Sequence, residues 1–155
     1  MKKRLVLFFL FCAAGLFAQE LHWMKTFDEA LAAAVKEKKP LFLYFNGSDW
    51  CGWCIRLNSE VLAKKEMIRF LNDNFILYRA DFPRQNPPPA EIRKKNNQLL
   101  EFYRVEGFPT IVIANSYGKM LGITGYIPGG PAAMIKDLKR YVHRKPGPGP
   151  GEKLF

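Results

Sequence analysis

The 155-residue sequence is poor in the side chains that most often announce chemistry: it has three cysteines and two histidines. Three cysteines are too few for a disulfide-stapled miniprotein. Acidic residues are also scarce, with fourteen Asp+Glu against twenty-four Lys+Arg for a formal charge of +10. That imbalance alone would point to nucleic acid or a membrane surface. The aromatic-basic interleaving that stacks bases is absent, however, and the basic clusters at Lys36-Lys38-Lys39, Lys64-Lys65, Arg93-Lys94-Lys95 and Lys139-Arg140 sit on polar helix faces. No internal repeat is present. The composition, 48% hydrophobic and 25% charged, excludes a disordered or fibrous chain and fits one domain.

What is present begins with an address. Met1-Lys2-Lys3-Arg4, the apolar run from Leu5 and the small Ala18 before Gln19-Glu20 read as a signal peptide over residues 1–18. The run is shorter than the roughly 18–20 residues that cross a bilayer. Removal takes away three basic residues and Cys12, leaving a charge of +7 and two cysteines, Cys51 and Cys54. The expected compartment is a bacterial periplasm, where disulfides persist, with full secretion left open. Nucleic acid is then not an expected partner. Residues 19–143 form the expected domain, and the Pro-Gly-rich residues 144–155 a solvated tail.

Within the domain, Thr26-Phe27-Asp28-Glu29 is a capping box that opens a helix to about Lys38, closed by Pro40. Leu41 to Phe45 is a continuous apolar run, the pattern of a strand covered on both faces. A second helical pattern runs from Trp50 to about Lys65, with Glu66 to Asn72 as its continuation or a short helix. A strand is expected at Phe75–Asp81, a rigid loop from Pro83 to Pro89, a helix at Ala90–Tyr103 and strands at Thr110–Ala114 and Met120–Thr124. The last helix spans about Pro131–Val142.

The chemistry concentrates in Cys51-Gly52-Trp53-Cys54, at the point where a buried strand hands over to a helix N-terminus. Unpaired backbone N–H groups there favour a thiolate at Cys51. Cys54, one turn later on the same face, can attack a mixed disulfide formed at Cys51. Gly52 leaves the first sulfur accessible to a protein substrate, and Trp53 walls it. A zinc half-site is the first competing reading, but tetrahedral zinc takes four ligands, and only His22 and His143 remain, in no spaced pair. The second is an inert disulfide, whose small loop would restrict the unfolded chain little. Neither a metal nor a cofactor is expected.

Trp50-Cys51-Gly52-Trp53-Cys54 after Leu41–Phe45, followed by Gly107-Phe108-Pro109-Thr110 at the head of a strand, resembles the thioredoxin superfamily. More narrowly it is similar to exported bacterial thioredoxin-like proteins, the thioredoxin disulfide isomerases among them, in which Ser48 to Cys54 is a recurring form. The resemblance covers about Leu21 to Val142. It implies an α/β thioredoxin-like fold with a mixed four- to five-stranded sheet, Cys51 as nucleophile and Cys54 as resolving thiol. It also implies a cis Phe108-Pro109 bond beside the dithiol and a substrate-binding surface of Trp50, Gly52, Trp53, Phe108 and Pro109. Cysteine-containing exported proteins are the implied clients, and an upstream redox partner, for which a membrane electron donor is one candidate, would reload the dithiol.

Departures from the family pattern sharpen the expectations. Phe45 stands where thioredoxins often carry a buried carboxylate, so proton transfer at Cys54 would fall to Asp49, Glu60 or water. Trp53 replaces the histidine common before the second cysteine in oxidants, which predicts a reducing dithiol. Trp50 is expected partly buried and Trp53 more exposed. The turn Tyr126–Gly130 is expected to line the groove with Pro109, and the Pro83–Pro89 loop is a second place for specificity. Two rivals to a reductase or isomerase remain: a net oxidant, and a chaperone-like binder of extended clients with an incidental dithiol.

Overall fold

The computed structural model describes residues 20–142. The signal peptide, Cys12, His143 and the Pro-Gly tail lie outside them. Five strands, β1 (Trp23–Met24), β2 (Leu41–Asn46), β3 (Ile76–Asp81), β4 (Thr110–Ala114) and β5 (Met120–Thr124), form one sheet in the order β1-β3-β2-β4-β5. The helices are α1 (Phe27–Glu37), α2 (Gly52–Leu57), α3 (Lys65–Asn74), α4 (Ala90–Phe102) and α5 (Gly130–Val142). β1, β3 and β2 run parallel, while β4 is antiparallel to both β2 and β5.

Local sequence explains most of these boundaries. The Thr26 hydroxyl accepts from the Glu29 backbone N–H at 3.1 Å and starts α1. Lys38, in the left-handed region at φ 56°, stops it just before Pro40. All six residues of β2 are buried, as its unbroken apolar run requires of a central strand. Its side chains alternate between two cores: Leu41, Leu43 and Phe45 pack with α1 and α4, whereas Phe42 and Tyr44 pack with Leu57, Val61, Leu71, Met134 and Leu138.

Two features differ from the sequence reading. The helix expected from Trp50 to about Lys65 is α2 followed by one π-helical turn, Asn58–Leu62, in which the Ala63 N–H reaches back to the Asn58 carbonyl at 2.9 Å. The inserted residue re-phases the helix, so that Val61 and Leu62 are both buried. The second is β1, a two-residue edge strand paired with Leu77 and Tyr78. It makes the sheet five-stranded and is too short to carry a periodicity.

Strand polarity fixes where a site can form. The C-terminal ends of β2, β3 and β5 and the N-terminal end of β4 meet at one end of the sheet. The segments they lead into, Gly47–Trp50, Phe82–Gln85 and Gly125–Tyr126, together with Gly107–Pro109, therefore converge.

Candidate active site

Cys51 is the N-cap of α2 in an extended conformation, and its sulfur accepts from the Cys54 backbone N–H at 3.2 Å. Cys51 and Cys54 are joined in a disulfide, with Cα atoms 5.2 Å apart. Cys51 is 6% exposed and Cys54 1%, so the first sulfur is the one nearer to solvent. When the pair is reduced, the N–H aimed at the Cys51 sulfur and the free backbone donors of the first turn favour negative charge there. Beneath, the Tyr44 hydroxyl donates to the Cys54 carbonyl at 3.4 Å, and burial pushes the Tyr44 phenol well above its ordinary range. Tyr44 therefore stays protonated as a donor that pins the first turn to β2.

The Phe108-Pro109 bond is cis, as the resemblance implies. A side chain on Gly125 would come within 3.1 Å of the Pro109 carbonyl, so the chain after β5 passes close against the proline, as expected for the turn that begins at Tyr126. Phe108 lies between two aromatic neighbours, stacked on Phe82 at 5.2 Å and tilted against Trp50 at 5.9 Å. Trp50 donates its indole N–H to the Phe82 carbonyl at 2.8 Å. A side chain on Gly47 would strike the Trp50 ring within 2.4–2.7 Å, so the glycine makes room for that tryptophan.

Both tryptophans are exposed, Trp50 at 40% and Trp53 at 56%: the order is as expected, but Trp50 is exposed rather than partly buried, lying at the surface with its indole N–H turned to the Phe82 carbonyl. The Trp53 ring meets Tyr126 at 5.4 Å. Arg56 lies over both, its guanidinium carbon 5.4 Å from the Trp53 ring and 5.3 Å from that of Tyr126. Glu60 ties the group together: one oxygen accepts from Arg56 Nε at 2.7 Å and the other from the Tyr126 hydroxyl. Those two bonds hold the Glu60 carboxyl below its usual range, that from Tyr126 contributing most. Gly52, Trp53 and Arg56 line an open, mostly apolar pocket of about 210 Å³ beside Cys51.

The proton-transfer candidates are occupied elsewhere. Asp49 accepts from the backbone N–H groups of Arg84 and Gln85 at 3.0 and 2.7 Å, which lowers its pKa and anchors the loop after β3. Glu60 is engaged as described. Phe45, at the usual carboxylate position, is fully buried against Tyr103 and pairs across the strands with Ala80. Among the described residues, no carboxylate or histidine is buried. His22 is exposed, as expected. The sequence reading missed Arg56, Arg84, Phe82 and Tyr44; their only signal was proximity in number to the motif or to the end of a strand.

A family model for the thioredoxin-like domain matches residues 27–140. The chain belongs to this family. Disulfide bond reductase DsbH of Chlamydia pneumoniae is 38% identical over 122 residues, 79% of this chain and 73% of the relative. A solved structure described as DsbH oxidoreductase is similar with a TM-score of 0.76 and 38% identity, covering 81% of this chain and 86% of that one. A thioredoxin from Thermus thermophilus follows the same fold with a TM-score of 0.58 and 25% identity over 78% of this chain and 86% of its own. The joined cysteine pair and this kinship together support thiol-disulfide exchange as the chemistry of this family member.

Proposed function

We propose that this protein is an exported reductant of protein disulfides, with Cys51 as the attacking thiolate and Cys54 as the resolving thiol. The observation that carries the reading is the Cys54 N–H on the Cys51 sulfur at the head of α2, on the more exposed of two bonded cysteines. The name of its 38% identical relative, a disulfide bond reductase, supports the direction. In the proposed location, residues 1–18 are cleaved as a signal, residues 19–143 fold in the periplasm and residues 144–155 form a tail.

The steps balance within the dithiol. The Cys51 thiolate attacks one sulfur of a client disulfide, forming a mixed disulfide and releasing the other client sulfur as a thiolate, which takes a proton from solvent. Cys54 then loses its proton and attacks the Cys51 sulfur. The products are a client dithiol, reduced by two electrons, and the Cys51–Cys54 disulfide. An upstream dithiol donor must return those electrons before the next turnover. Isomerisation shares the first attack but ends when a client thiol, rather than Cys54, resolves the adduct. Trp50, Gly52, Trp53, Phe108 and Pro109 form the proposed surface over which an extended client lies.

Cys51→Ser is expected to abolish reduction of a protein disulfide, and Cys54→Ser to accumulate covalent client adducts visible on a non-reducing gel. An active Cys51→Ser variant would overturn the assignment. The redox potential of the pair tests direction: a value near about −270 mV is that of a thioredoxin-type reductant, whereas one near about −120 mV would make the protein an oxidant.

A further inference from the structure

Each tryptophan of the motif carries an arginine on its face. The Arg56 guanidinium lies over Trp53 at 5.4 Å, and that of Arg84 over Trp50 at 4.7 Å. Strand polarity places these stacks on opposite sides of the dithiol. Arg84 follows β3, on one side of β2, while Arg56 leans on Tyr126, which follows β5 on the other. A guanidinium stacked on a ring through its face can still donate N–H groups from its edge to a further partner.

The nearby carboxylates do not use up these donors. Glu60 takes Nε of Arg56, one of five N–H donors on that group. Both Asp49 oxygens accept backbone N–H groups. Among the described residues Arg84 forms no ion pair and is exposed. The mostly apolar pocket beside Cys51 is lined by Gly52, Trp53 and Arg56, and Arg84 stands over Trp50 on the other flank of the motif. A planar fork of N–H donors matches a carboxylate, which it can bind bidentately.

We propose that Arg56 and Arg84 are specificity residues that select client segments whose disulfide cysteine is flanked by acidic side chains, one carboxylate meeting each arginine–tryptophan stack. This rests on the reductase reading above for its reaction, and on charge complementarity for its recognition. The mature net charge of +7 acts in the same sense by steering acidic clients toward the protein.

The test uses the mature chain and two synthetic disulfide peptides that differ only in having Glu or Gln on both sides of each cysteine. The wild type is expected to reduce the Glu peptide with the higher kcat/KM at about 0.01 M ionic strength, and the preference should shrink at about 1 M, where the Debye length is about 3 Å. Arg84→Gln and Arg56→Gln should each lower the Glu/Gln selectivity ratio about two- to fivefold, the range of exposed ion pairs. Arg84→Glu should shift preference toward a Lys-flanked peptide, which loss of packing alone would not do. Binding of serine-substituted, non-reducible versions is measured in parallel by tryptophan fluorescence. Tighter binding of the Glu peptide with no turnover of either would overturn the reductase reading and leave the subsite standing. Equal binding and equal turnover of both peptides would overturn the subsite.

Discussion

Glu60 engages its two partners through different oxygens, and this sets how the Trp53 wall responds to acid. Its carboxylate accepts from Arg56 and Tyr126, both of which favour the charged form, so its folded pKa lies below the ordinary 4.5. A depressed carboxyl contributes stability that is fully present above the unfolded value and disappears as the pH falls through the folded one. The Arg56–Glu60–Tyr126 clamp should therefore be intact at neutral pH and release only below about 4.5. Tyr126→Phe removes the larger of the two influences and should move the Glu60 midpoint back toward 4.5, read from its carboxyl carbon shift in an NMR titration. An unchanged midpoint would mean that Arg56 alone holds it. At this scale the sequence reveals what is local. The spacing of Cys51 and Cys54 is visible because both sit on one turn, and Pro109 because a strand follows it. Arg56 and Arg84 read as solvated charges, since the rings that orient Arg84 and hold the far side of Arg56 are 34 and 70 residues away in sequence.

Among elements, the packing of α5 on β5 depends on a missing side chain. A Cβ on Gly122 would fall within 2.2–2.8 Å of the buried Tyr141 ring and hydroxyl, which belong to α5. Gly122→Ala should push the helix from the sheet and cost about 1–3 kcal/mol, typical of overpacking. The loss would appear as a lower denaturant midpoint with an unchanged slope. Because Tyr126 lies between these two elements, the variant should also loosen the Trp53–Tyr126 contact, detectable in tryptophan emission. The loop after β3 depends likewise on Asp49. Asp49→Ala removes the acceptors of two backbone N–H groups and should speed hydrogen exchange at Arg84 and Gln85, leaving β2 protected. Most elements were legible because their signals are local: the Thr26 cap, the Pro40 stop and the apolar run of β2. The π turn and β1 were not. The first exists because the core accepts Val61 and Leu62 together, and the second because Leu77 and Tyr78 offer it partners.

For the whole molecule, the direction of electron flow and conformational stability are two sides of one cycle. The dithiol and disulfide forms each fold and unfold, and closing the cycle makes the difference in their unfolding free energies equal to the shift in redox potential that folding imposes on the pair. If folding favours the disulfide, the oxidised protein is the more stable form and the protein is a reductant. If folding favours the dithiol, as in strong oxidants whose reduced state is stabilised, the order reverses. The gap between about −270 and about −120 mV corresponds to about 7 kcal/mol at about 1.4 kcal/mol per 30 mV, far beyond the error of a denaturant titration. The Cys54 N–H on the Cys51 sulfur stabilises a thiolate and so the reduced form. The absence of a charged side chain between the cysteines, and the apolar Phe45 and Ala80 in the core of β2 and β3, add no further stabilisation of that charge. One hydrogen bond to a charged group contributes about 1.5–3 kcal/mol, too little alone to span the gap. On the reductase reading, oxidised residues 19–155 are expected to unfold at a higher denaturant midpoint than the same residues with Cys51 and Cys54 reduced. The opposite order would make the protein an oxidant despite its kinship to a reductase.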